Sequence, residues 1–96
     1  MKSKISLRLD GLVLNKFRQI AHGNNKMSSI NSVVKQFLDK YSDGKAVCPL
    51  GFTKDSVYVV CIDEELMKSV EDMAKRLKTS KSDVIRIAIY DWYLDN

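Results

Sequence analysis

Ninety-six residues, 45% of them apolar, suit one domain built around one core, and they exclude two large independent domains. The net charge of +4 is uneven: residues 1–48 carry nine Lys/Arg against three Asp, whereas residues 49–96 carry seven against nine Asp/Glu. The longest apolar run, residues 57–62, falls far short of the ~20 residues of a membrane span, and Met1-Lys2-Ser3-Lys4 leads into alternation rather than an apolar block, so neither membrane insertion nor a signal peptide is expected.

Ile5-Ser6-Leu7-Arg8-Leu9-Asp10 alternates apolar and polar side chains, which predicts a half-buried strand. Asp10 is a good helix N-cap, because its carboxylate accepts hydrogen bonds from the orphan amides of a starting helix. Val13, Phe17, Ile20 and Ala21 then form one apolar stripe at helical spacing. His22-Gly23-Asn24-Asn25 breaks that helix, with Gly23 suited to a left-handed terminator. A second helix is expected from Ser28 or Ser29, carrying Val33, Val34, Phe37, Leu38 and Tyr41. Residues 42–56, with two glycines and the only proline, read as a linker that could span about 50 Å when extended. Within it Val47, Leu50 and Phe52 suggest parts that pack down.

The pattern then returns. Tyr58-Val59-Val60-Cys61-Ile62-Asp63 is the counterpart of the first strand, apolar on both faces, and it again ends in Asp as an N-cap. Leu66, Val70, Met73, Ala74 and Leu77 repeat the stripe, and an offset of 53 holds through strand and first helix. Lys78 with Thr79 or Ser80 marks the next turn, Ser80 and Asp83 stand at capping-box spacing, and Val84, Ile85, Ile87, Ala88, Ile89 and Trp92 line the last helix. Matching Ser32 with Ser82 lowers the offset to 50, which assigns three extra residues to the first interhelix turn, where insertions are cheap. The expected organisation is one domain, 1–96, with repeats at 4–41 and 57–94 joined by the linker 42–56. One strand and two helices are too few to bury their own stripe, so the two units must share a core.

Strand, helix, helix in this order resembles the ribbon-helix-helix family, typified by the Arc and methionine repressors. The resemblance rests on Ile5 to Asp10, the stripe from Val13 to Ala21 and Ser29-Ile30-Asn31-Ser32-Val33-Val34, and again on Val60-Cys61-Ile62-Asp63-Glu64-Glu65-Leu66, the stripe to Leu77 and Ser82-Asp83-Val84-Ile85-Arg86. It covers nearly all of the chain outside the linker. It implies a mainly α fold with a two-stranded antiparallel β-ribbon, the two copies forming an intrachain pseudo-dimer. It also implies double-stranded DNA as partner, because a two-stranded ribbon fits the major groove, where each base pair shows a distinct hydrogen-bonding pattern.

If Ile5, Leu7 and Leu9 face the core, Lys4, Ser6 and Arg8 project outward. On a family-like ribbon they would read bases, Arg8 forking onto guanine. The matching outward residues of the second unit are Val57, Val59 and Cys61, none of which makes a strong base-edge hydrogen bond. They would touch thymine methyls in an asymmetric site, pack against protein, or signal a different register. The family clamps phosphates with the amides opening its second helix. Ser28, Ser29 and Asn31 take that place in the first unit and Thr79, Ser80 and Lys81 in the second, with Lys26 and Lys78 adding charge; plain N-capping explains the hydroxyl residues equally well.

No enzyme, metal site or cofactor is expected. His22 has no ligand or base partner at suitable spacing, Cys48 and Cys61 read as reduced thiols of a cytoplasmic chain, and Gly44-Lys45 lacks a glycine-rich phosphate cradle. Trp92 and Tyr93 fit core and rim, and Asp63-Glu64-Glu65 fits a dipole-compensated helix start. The leading expectation is therefore a transcriptional repressor. The rivals are a DNA-organising accessory factor of the conjugative-transfer type and a protein-interaction module that has lost groove reading in its second unit. Further self-association on DNA is compatible with each DNA-binding reading.

Overall fold

The computed structural model describes residues 2–23, 26–41 and 51–95, and the side chains among them except those of 2, 20–23, 26–29 and 95. The alternating first segment forms strand β1, Lys2–Leu9, and the apolar run forms strand β2, Ser56–Asp63, so Ser56 belongs to the strand and not to the linker. The strands pair antiparallel as a two-stranded ribbon, with Lys4 opposite Cys61, Ser6 opposite Val59 and Arg8 opposite Val57. Ser6 and Val59, at the centre of this register, are also 53 residues apart, so positions related by that offset occupy equivalent places on the two strands. Helices α1 (Gly11–Gly23) and α2 (Lys26–Lys40) follow β1; helices α3 (Glu64–Leu77) and α4 (Lys81–Asp95) follow β2.

The ribbon buries one face on the helices. Leu7, Leu9, Val60 and Ile62 are buried there, with Ile5 and Tyr58 half-buried at its edges. Below them α2 and α4 pack together at the centre, and α1 and α3 lie outside that pair. Val13, Leu14 and Phe17 of α1, Ile30, Val33, Val34 and Phe37 of α2, and Met67, Val70, Met73 and Ala74 of α3 supply the buried stripes. Each of these side chains other than Ala74 contributes roughly 1.5–3 kcal/mol of transfer free energy. In α4 the residues Val84, Ile85, Ile87, Ala88, Ile89 and Tyr90 are all buried, so this helix is enclosed on nearly every side and has no polar face of the usual width. Phe17 meets Trp92 edge-on at 5.2 Å and Tyr58 at 6.1 Å, closing the end of the core beneath β2.

The enclosure of α4 is completed by residues 51–55. Gly51 turns the chain at φ 91°, a left-handed conformation that side chains resist. Phe52 then stacks on Tyr90 at 4.3 Å and meets Tyr93 edge-on at 5.9 Å. The Tyr90 hydroxyl donates to the Thr53 carbonyl at 3.0 Å and accepts from the Asp10 amide at 3.1 Å. The Asp10 carboxylate accepts from the amides of Leu12 at 2.9 Å and Thr53 at 3.0 Å, while Asp55 accepts from the Gly11 amide at 2.8 Å. Phe52 thus packs down as its apolar character suggests; Val47 and Leu50 lie outside the described residues.

Three local expectations are corrected. Asp63 stands at the N-cap of α3 but makes no side-chain cap hydrogen bond; Glu64 and Glu65 in the first turn compensate the helix dipole instead. The helix α2 begins at Lys26, two residues before Ser28. Burial in the second helices matches best at an offset of 51, with Val33, Val34 and Phe37 corresponding to Val84, Ile85 and Ala88, so the serine match at 50 is one residue out of phase.

Candidate nucleic-acid interface

The outward face of the ribbon follows from strand geometry, since burying Leu7 and Leu9 turns their neighbours to solvent. Lys4, Ser6 and Arg8 are exposed on β1. Across from them Val57 and Val59 expose 57% and 56% of their surface, values high for valine in any strand, and Cys61 is half-buried with a free thiol. Directly opposed residues of an antiparallel pair have Cβ atoms about 5 Å apart, so the six side chains form one surface with a polar row beside an apolar one. The polar row from Lys4 to Arg8 is about 13 Å long.

Both ends of this surface are held from below. The Arg86 side chain of α4 donates from Nε to the Arg8 carbonyl at 2.7 Å and also bonds Asp83, which fixes the backbone that carries Arg8. Asn31 of α2 accepts at Oδ1 from the Asp63 amide at 3.2 Å, tying the end of β2 to the opposite half of the chain. Tyr58, on the inner side, lies beneath the Arg18 guanidinium at 5.5 Å; burial pushes its phenol up, and Arg18 opposes that shift.

The start of α4 is an ordered cap. Ser80 accepts at Oγ from the Asp83 amide at 3.2 Å, half of the capping box, and the Ser80 carbonyl accepts from Val84. The Thr79 hydroxyl donates to Asp83, and with Arg86 it holds that carboxyl below its ordinary range. Lys78 takes the left-handed position that ends α3, at φ 56°. Together with Lys54, Lys78 and Arg86, the cap borders a recess of about 380 Å³. Lys81 pairs with Glu71 at 3.6 Å, an exposed contact of small worth. Thr79 and Ser80 therefore work as caps, which leaves the amides of Lys81 and Ser82 at the positive end of the helix.

The corresponding start of α2 contains Lys26, Ser28 and Ser29 in its first turn, their side chains lying outside the described residues. Asn31 falls beyond that turn, and its side chain is engaged with Asp63. Sequence reasoning missed Arg86 and Tyr90, the two side chains of α4 that bind β1 and the linker. Their partners are backbone groups 78, 80 and 37 residues away, which no periodicity signals. Among the described residues no three His, Cys, Asp or Glu side chains are grouped to hold a metal ion, and no helix is long and apolar enough to cross a membrane.

Residues 60–95 match the family model described as ribbon-helix-helix protein, copG family. The match covers part of β2 and both following helices, and it supports the ribbon-helix-helix family for that stretch and DNA binding by a transcription regulator in general. The family's members are typically not enzymes. Comparison with curated proteins and with solved structures finds no match.

Proposed function

We propose that this chain is a sequence-specific double-stranded DNA-binding protein of the repressor type, working in the cytoplasm, whose two strand-helix-helix units form an intrachain pseudo-dimer. The observation that carries this reading is the row Lys4, Ser6 and Arg8, exposed on a ribbon whose other face is core. The pseudo-dimer is supported by the ribbon register, which is centred on two residues separated by the same 53 positions that relate the repeats. A ribbon two strands wide suits a major groove of about 12 Å, and a 13 Å polar row covers about four base-pair steps. Arg8 forks onto guanine, Ser6 donates or accepts at the centre, and Lys4 reaches a guanine or a phosphate. Val57, Val59 and Cys61 supply apolar contact to thymine methyls, which makes the preferred site asymmetric.

Phosphates flanking the site are held by the amides opening α2 and α4, with Lys26 and Lys78 adding charge and Ser28, Ser29, Thr79, Ser80 and Lys81 shaping the two helix starts. Binding by this route is salt-dependent. The test is duplex affinity measured across a salt series, followed by selection of bound duplexes from a random pool. Affinity falling linearly with salt on logarithmic axes, an asymmetric consensus, and a loss of about 1–3 kcal/mol in Arg8→Ala are expected. Absence of duplex binding at low salt would favour the second reading, a protein-interaction module, which the exposed Val57 and Val59 motivate.

A further inference from the structure

The two flanks of the molecule are equivalent in fold but differ in charge over the first turns of their outer helices. Lys16 and Arg18 are the only charges at positions 12–19 of α1, whereas the equivalent positions of α3 carry Glu65, Glu71 and Asp72 with one lysine, Lys68. Beside α3, between it and α2, an open furrow of about 430 Å³ has Leu38 and Leu66 among its apolar lining and Asp39, Asp63 and Glu65 against a single cation, Lys35. Beside α1 the corresponding furrow against α4 is filled by the chain itself, through Phe52 on Tyr90 and Asp55 on the Gly11 amide. From that flank Leu12 exposes 74% of its surface.

We infer that copies of this chain associate head to tail, the α1 flank of one copy, led by Leu12 and Lys16, seating in the acidic α2–α3 furrow of the next. Charge selects this arrangement over its alternatives. Two α1 flanks would meet cation to cation and two α2–α3 furrows acid to acid, so the unlike pairing is the complementary one. A contact between unlike surfaces leaves one of each surface free on every pair, so it continues beyond two copies, into rows where the rotation does not close a ring. Each copy in a row points the same way. If the DNA-binding reading holds, such rows occupy sites repeated in one direction rather than as inverted pairs.

The test is sedimentation velocity on the full chain at low salt over rising concentration, with the variants Lys16→Glu and Glu65→Lys. Both changes are on exposed or partly exposed helix positions outside the DNA-contacting set. The wild type should grow steadily beyond dimers. Each variant alone should associate at least about fivefold more weakly. In an equimolar mixture every contact between unlike variants again joins opposite charges, one native and one reversed, so association and growth beyond dimers should both return. A monomeric wild type at every concentration, variants that match it, or a mixture no better than its components would each overturn the proposal. Titration of a duplex carrying the selected site twice, in direct or inverted arrangement, then separates the two readings. Growth in the centrifuge without duplex binding sinks the DNA reading alone, and independent single-copy binding without growth sinks this contact alone.

Discussion

Replacing Tyr90 by Phe isolates one hydroxyl that joins three distant parts of the chain. The ring remains, so its stacking on Phe52 and its place in the core are kept. What is lost is the bond donated to the Thr53 carbonyl and the bond accepted from the Asp10 amide, at 3.0 and 3.1 Å. An ordinary hydrogen bond contributes about 0.5–1.5 kcal/mol net, and a part-buried amide left unsatisfied costs about 1–3 kcal/mol. The expected destabilisation is about 2 kcal/mol, a large part of the 5–15 kcal/mol typical of a small domain. Urea unfolding should show a lower midpoint with an unchanged slope, and thermal unfolding a midpoint lower by about 10 °C. A loss below about 0.5 kcal/mol would refute the assignment, because water would then be serving both groups as well as the hydroxyl does.

Three further outcomes follow from the same packing. Phe17→Ala should destabilise by about 3–5 kcal/mol in the same assay, since the ring is buried and meets both Trp92 and Tyr58; a cost under 1 kcal/mol would mean that the core closes over the space without strain. Asp10, held low chiefly by the Thr53 amide, and Asp83, held low chiefly by the Thr79 hydroxyl, both have lowered folded-state pKa values, so their stabilisation is complete above about pH 4 and lost as pH falls below it. Unfolding free energies taken from pH 6 to pH 2 should fall on this limb, and the fall should flatten in the Asp10→Asn, Asp83→Asn chain; an unaltered slope contradicts the assignment. Arg86→Ala should cost about 1.5–3 kcal/mol by releasing the Arg8 carbonyl and Asp83, and Arg86→Lys should recover little of it because an ammonium lacks the fork; full recovery in the lysine variant would show that only charge matters.

The alternating strand from Ile5 to Leu9 carries enough pattern to show which side of the ribbon is core, because a period of two leaves only two choices, whereas the second strand, apolar on both faces, does not. The constant offset of 53 is likewise legible, and it reappears in the strand register. The helices were read less well. Leu14 and Met67 are equivalent by that offset and both buried, yet a stripe traced through Val13 and Leu66 misses the adjoining row of the same face. Matching the second helices by a shared serine gave a phase that burial corrects, because identity at an exposed position carries no packing information. Asp10 and Asp63 look alike in sequence and differ in the fold: the Asp10 carboxylate accepts from the amides of Leu12 and Thr53, whereas Asp63 makes no side-chain cap hydrogen bond. The interface rows were readable from alternation, whereas the side chains that brace them from α4 depend on contacts between the ends of the chain.

The pairing of β1 with β2 inside a single polypeptide separates ribbon formation from the supply of a second molecule. Covalent tethering holds the partner strand at an effective concentration of order millimolar, whatever the bulk abundance. Dilution therefore leaves the ribbon assembled, and a cell holding a handful of these chains has nearly all of them ready to engage. The tether also frees each strand to change without duplicating the change in the other, so a mutation on the outer surface of one half leaves its companion half untouched.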